Sequence, residues 1–173
     1  RLPTEAEWEK MARGGCELYG DCAKEAPTYP WGNKSANCVQ GVLGQDATGQ
    51  PCSLPGQATV ISGTEIPGSR SQDKSPYGIY DLAGNVREWV SDYYDQGFYG
   101  RKQASWPHAE NKVDRGLGRV VRGSSYSRST QEAPVAFRSK AGETEKLTDM
   151  GFRCVYPLPC VSDSDCDNGE KSC

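Results

Sequence analysis

The sequence predicts an α+β domain, loop-rich, with one clear N-terminal helix and short antiparallel strands. Three observations lead there. Only the first stretch, "RLPTEAEWEKMARGG", combines helical periodicity with signals at both ends. The segments that alternate apolar and polar residues are short and gather in the second half. Between them lies a turn-rich, cysteine-bearing region with no sustained period. The order of helix, then loops, then strands argues against a parallel βαβ fold. A chain of 173 residues is long enough for one domain with a real core. Its 20 Gly, 11 Pro and 35% hydrophobic content suit a fold in which loops outweigh regular elements.

The helix has a capping box: Thr4 stands at the N-cap and Glu7 three positions on. Gly14 and Gly15 end it. Trp8 with Met11 or Ala12 makes the apolar stripe, which reads as core packing. From Cys16 to Pro76 the chain reads as loops, with "YPWGN" at 29–33 as a turn around an aromatic plug and "ATVISG" at 58–63 as a short strand. Val86 to Val90 alternates as a strand, with Val86, Glu88 and Val90 on one face and Arg87 and Trp89 on the other. "GRVVRGSSYS" at 118–127 is another strand entering a turn. "APVAFRSK" and "DMGFRCVYP" are two more. After Pro157 the chain turns Cys- and Asp-rich. Residues 157–173 therefore read as a tail or the start of a disulfide-held repeat, separate from a domain at 1–156. Its Asp163, Asp165 and Asp167 lack the glutamate that closes an EF-hand loop.

Composition excludes some functions. The net charge is −3, with no basic surplus for nucleic acid. No apolar run approaches the roughly 18 residues of a membrane span. Eight cysteines, an even number set in loops, favour disulfides and an extracytoplasmic or secreted setting. Local pairs would be Cys16–Cys22 and Cys38–Cys52, and Cys160 and Cys166 belong to the tail's own set. Zinc is disfavoured, because no C-x-x-C pair exists and His108 is the only histidine. The chain opens on Arg1 without a signal-peptide core, which reads as a mature fragment or an excised domain.

The segments "RLPTEAEWE", "RGG", "YPWGN", "YGIYDLAGNVREWVSDYY", "RVVRGSSY", "FRSK" and "MGFR", in that order, carry a family resemblance. Over residues 1–156 the chain resembles the formylglycine-generating enzyme, or sulfatase-modifying factor, family. That resemblance implies a fold related to C-type lectins, lacking here the family's N-terminal half. It also implies a copper- and oxygen-dependent oxidation of a sulfatase cysteine, using two cysteines after the "RGGSY"-like strand. Here those positions fall at Arg128 and near Ala133 or Pro134, and no cysteine lies between Cys52 and Cys154. Copper is therefore not expected. Some relatives pair the cysteine of "GFRC" with one in the helix, where this chain has Ala12. Cys154 then pairs elsewhere, as with Cys160, or stays free.

The resemblance also implies structural calcium. One set is Asp81, the Gly84 and Val86 carbonyls, and Glu88. A looser second set is Asn37, the Cys38 carbonyl, Asp46 and the Thr48 carbonyl. The physics agrees with the first, since a tight turn offers carbonyls to a hard cation. The simpler reading is a hairpin turn with Asp81 capping local amides. Asp81 and Glu88 as a glycosidase pair would need a groove and two distinct environments. The loop with Tyr126, Ser127 and Arg128 lines the family's substrate groove, and Arg128 suits an acidic or hydrogen-bonding ligand. Trp106, Tyr126 and Tyr99 are candidates for a surface cleft. The functional expectation is a non-catalytic binding or accessory domain, stabilised by calcium and disulfides, with a protein or small polar ligand as partner. The alternative is an oxidoreductase of the same superfamily, of formylglycine-generating or non-haem-iron type, completed by the missing half.

Overall fold

A computed structural model describes residues 1–101 and 110–156, apart from the side chains of Cys22 and Ala23. Helix α1 spans Glu5–Arg13 and a single-turn α2 spans Cys22–Glu25. Four strands follow: β1 (Arg87–Tyr93), β2 (Arg119–Arg122), β3 (Arg138–Ala141) and β4 (Met150–Gly151). They form one sheet in the order β3-β2-β1-β4.

Helix α1 forms where its end signals are. The Thr4 hydroxyl accepts from the Glu7 amide at 3.2 Å, and the Glu7 carboxylate accepts from the Thr4 amide at 2.8 Å. Gly14, with φ of 87°, closes the last turn by donating to the Lys10 carbonyl. Trp8 and Ala12 are buried against Leu82, Val90, Val120 and Val135. A second cluster joins Leu43, Cys52, Ala83 and Ala133. The two clusters meet through the adjacent residues Leu82 and Ala83, so the loop before β1 is part of the core rather than a surface link.

The sheet is mixed, not purely antiparallel. β1 pairs antiparallel with β2, and β2 with β3. β4 runs parallel to β1, with Arg87 opposite Met150 and Glu88 opposite Gly151. Residues 149–156 thus contribute only two residues of strand, because the chain leaves the sheet to meet its own start. There the Val155 amide donates to the Arg1 carbonyl, and the Arg1 ammonium donates to the Val155 carbonyl. The expected strand at 58–63 reduces to one bridge between Ser53 and Val60. Val60 is 47% exposed, so alternation there has no buried face to support a strand. Among the described residues, no helix is long and apolar enough to cross a membrane.

Charged residues complete the core. Arg122 is fully buried. Its guanidinium donates to Glu5 at 3.0 Å, to Glu9 at 2.9 Å and to the Val135 carbonyl at 2.6 Å. Arg138 grips the same Glu5 at 2.6 and 2.8 Å. Asp92 on β1 accepts the Glu5 amide at 2.6 Å and the Asn111 amide at 2.8 Å. Helix α1 is thereby locked to β1, β2 and β3 through one residue.

Removing one partner of a buried ion pair strands the other charge in the interior. Glu5→Ala should therefore destabilise the fold by about 3–5 kcal/mol. Denaturant unfolding would measure it, and a loss near that of a surface Glu→Ala change would contradict this role.

Candidate functional site

The stretch before β1 is a left-handed turn held from several sides. Asp81 and Asn85 adopt φ of 60° and 70°, unusual for residues with a Cβ. The Asn85 amide donates to the Val42 carbonyl at 2.8 Å. Gly84 lies so close that a Cβ there would come 2.8 Å from the Val42 backbone. The Asn85 side chain accepts from the Glu65 amide at 3.0 Å and donates to the Glu65 carbonyl at 3.2 Å. Asp81 Oδ2 accepts from the Gly68 amide at 2.7 Å. Asp81 thus caps an amide, but one thirteen positions away rather than a local one in its own turn.

Beside the turn is a cleft of about 420 Å³, with Asp81, Val86, Glu88 and Arg153 in its walls and Tyr80 and Phe152 at its sides. Glu88 is fully engaged. Its Oε2 accepts from the Trp8 indole at 2.7 Å and from Arg153 Nε at 2.7 Å, and its Oε1 accepts from Arg153 Nη2 at 2.6 Å. Arg153 Nη2 also donates to the Tyr80 carbonyl at 3.2 Å. Burial disfavours the Arg153 charge, but Glu88, Asp81 and Asp73 more than compensate and raise its pKa. Asp73, buried behind Asp81, is pushed up to about 7 by its burial and then by the Asp81 charge.

The fit to calcium is incomplete. Among the described residues, the Gly84 and Val86 carbonyls accept no backbone hydrogen bond, and Asp81 Oδ1 has no donor. Those three oxygens suit a hard cation. Glu88 does not, because an arginine fork and an indole already hold it. A calcium ion wants roughly six to eight oxygens and a surplus of negative charge. The site offers one unpaired carboxylate beside a guanidinium. The set as folded does not fit calcium.

The second expected set is a run of capped turns. Asn37 Oδ1 accepts from the Val39 amide at 2.9 Å and the Gln40 amide at 3.1 Å. Asp46 Oδ1 accepts from the Thr48 amide and hydroxyl at 2.8 and 2.7 Å and from the Gln50 amide at 3.0 Å. Those bonds lower the Asp46 pKa. Among the described residues, no group of three or more His, Cys, Asp or Glu is arranged to hold a metal. The Cys38–Cys52 disulfide is formed and closes this loop. Cys16 is disulfide-bonded, while Cys154 is free and exposed. The Cys22 side chain, Cys160 and Cys166 lie outside the described residues, as do Trp106 and His108.

The three expected ligand-binding residues do come together, around a carboxylate that sequence reasoning missed. Ser127 Oγ donates to Asp149 at 2.8 Å, and Arg128 Nε approaches the same oxygen at 3.4 Å. Tyr126 donates to the neighbouring Thr148 hydroxyl at 2.9 Å. Arg87 donates to Asp149 through Nε at 3.1 Å and Nη2 at 2.9 Å, and Ser125 adds a bond at 3.0 Å. Arg87 is buried, so neither face of β1 there is solvent. The Gly44 and Gln45 amides fix the loop by donating to the Arg128 carbonyl. The Arg128 side chain is 40% exposed, and its terminal nitrogens donate to nothing among the described residues. Tyr99 packs on Phe98 and Arg138 instead, with none of Tyr126's neighbours. Sequence signals for the missed residues existed: Arg87 sits inside "GNVREW", and Asp149 and Arg153 flank "MGF".

The sequence profile of the sulfatase-modifying factor enzyme 1-like domain matches residues 1–158. The chain belongs to that family. A formylglycine-generating enzyme of Streptomyces coelicolor is 32% identical over 171 residues, covering 95% of this chain and 49% of that protein. The inactive C-alpha-formylglycine-generating enzyme 2 of Bos taurus is 28% identical, covering 90% and 43%. PvdO from Pseudomonas aeruginosa shares the fold, with a TM-score of 0.61 at 20% identity, covering 88% of this chain and 50% of that one. The chain spans about a fifth to a half of the length of the curated relatives it matches. This sulfatase-modifying-factor-like domain has Arg128 where the resemblance places one thiolate.

Within this domain Asp149 yields a pH prediction. Burial pushes its carboxyl up, but Arg87, Ser127 and Ser125 outweigh it and hold the group well below the usual range. A depressed folded pKa adds stability that is present above the unfolded value of about 3.9 and is lost as pH falls below it. Asp149→Asn should lower stability at neutral pH, and the gap to the parent should narrow as pH falls below about 4. Urea midpoints across that range would check it.

Proposed function

We propose that this chain is a non-catalytic binding domain of the sulfatase-modifying factor family, and that its ligand site is the groove at Arg128. The carrying observation is the residue set there. Arg128 and Ala133 or Pro134 stand where the resemblance places the copper-binding cysteines, and no cysteine lies between Cys52 and Cys154. Thiolates suit Cu(I) because both are soft, and a guanidinium binds no copper. Arg87 and Arg128 share one carboxylate, Asp149, which leaves one positive charge. A half-exposed fork whose terminal nitrogens donate to nothing among the described residues suits a carboxylate, sulfate or other acidic group. A relative named as inactive gives a precedent for a family member without the reaction.

The Cys38–Cys52 disulfide supports an extracytoplasmic setting for this role. Disulfides and buried ion pairs are the fastening in this reading. Calcium at Asp81 and Glu88 is no part of that fastening, because Arg153 and the Trp8 indole already hold Glu88. The second reading is an oxidoreductase whose site is completed by residues beyond this chain. It is favoured by the 32% identity to a relative named as a formylglycine-generating enzyme.

Two measurements separate the readings. The full-length protein, given Cu(I), oxygen and a sulfatase-derived cysteine peptide, should leave the cysteine unchanged by mass spectrometry. Conversion to formylglycine would overturn the binding proposal. In an array of acidic and neutral peptides and sugars, the acidic members should be retained. Arg128→Ala should then weaken their binding by about tenfold or more, the worth of a charge-assisted hydrogen bond.

A further inference from the structure

We infer that Arg153 is the resident cation of the Asp81–Glu88 loop, so that the chain itself balances charges that would otherwise call for a divalent metal. The position follows from the sheet. Glu88 pairs with Gly151 across the parallel β1–β4 junction, and Arg153 lies two residues further on. Its guanidinium therefore reaches back over the turn. It meets both Glu88 oxygens at 2.6–2.7 Å and the Tyr80 carbonyl at 3.2 Å. An environment of carboxylate and carbonyl oxygens is also what a hard cation selects. Here an arginine fills it, with a fork whose geometry matches a carboxylate.

The same contacts say what removing the guanidinium would expose. Glu88 would keep only the Trp8 indole bond. Asp81 and Glu88 would then stand in one cleft without a positive partner, beside the open Gly84 and Val86 carbonyls. That arrangement has two carboxylates and two backbone carbonyls that accept no backbone hydrogen bond around one turn, the kind of set a divalent cation occupies. Arg153 thus decides whether this loop depends on metal. The inference is independent of the ligand groove, since Arg128 and Arg153 contact different carboxylates.

Thermal melts of the full chain test it, in calcium and in chelator. Arg153→Gln removes the charge and keeps a polar side chain. The parent should melt within about 1 °C in the two conditions. Arg153→Gln should lose about 4 °C or more in chelator and recover at least half of that in calcium. In the double variant with Glu88→Gln, the calcium recovery should vanish. If Arg153→Gln folds too poorly to melt, Arg153→Lys serves instead. It keeps the charge without the fork, and should melt lower than the parent yet stay insensitive to calcium. A parent as calcium-sensitive as the glutamine variant would overturn the inference. So would a glutamine variant that calcium does not rescue, or a lysine variant that calcium stabilises.

Discussion

The fold depends on a carboxylate buried where an apolar residue would be the simpler choice. Glu5 opens helix α1, where the helix dipole favours negative charge. It takes hydrogen bonds from Arg122 on β2 and Arg138 on β3, while Asp92 on β1 holds its backbone amide. Arg122 lies 5.0 Å from the Trp8 ring, so the ion network and the main hydrophobic cluster share a wall. A domain with few long elements cannot orient its helix by extended packing. Directional bonds between fixed charges do so instead, because each buried donor left unpaired would carry a desolvation penalty.

The same device recurs at two other carboxylates, and a third shows what its absence does. Asp149 has two arginines and two hydroxyls, and stays ionised far into acid. Glu88 has one arginine and an indole, which uses up its capacity as a ligand. Asp73 is buried and, among the described residues, has no cationic hydrogen-bond partner, so burial first and the Asp81 charge second push it up to about 7. Two of these carboxylates depend on arginines from β1 or the segment after β4. The parallel β1–β4 pairing is short, but it is what delivers Arg153 to one end of the turn and Asp149 to the other.

The sequence is most legible where structure is local. The capping box of α1, the burial of Trp8, the strand through "REWV" and the Cys38–Cys52 pair follow from neighbouring residues and short spacings. The family resemblance adds the overall fold. Legibility fails where a residue's state depends on a distant partner. Alternation at 58–63 looks like a strand, but only burial decides whether it has a face to hide. Alternation puts Arg87 on one face of β1 but cannot say that it is buried there, which Asp149, sixty-two positions away, makes possible by neutralising it.

"DLAGNVREW" shows both sides of this. By itself the stretch determined a Gly-Asn turn running into a strand, with two acids placed at its ends. The wider sequence also determined that no cysteine lies between Cys52 and Cys154, so the loop at Arg128 carries no thiol of its own. Only the tertiary structure decided what the acids meet. The choice between a metal, a proton and an arginine for Glu88 rests on which charge lies within hydrogen-bonding distance. That charge comes from a residue sixty-five positions later, brought close by strand pairing and not by spacing along the chain.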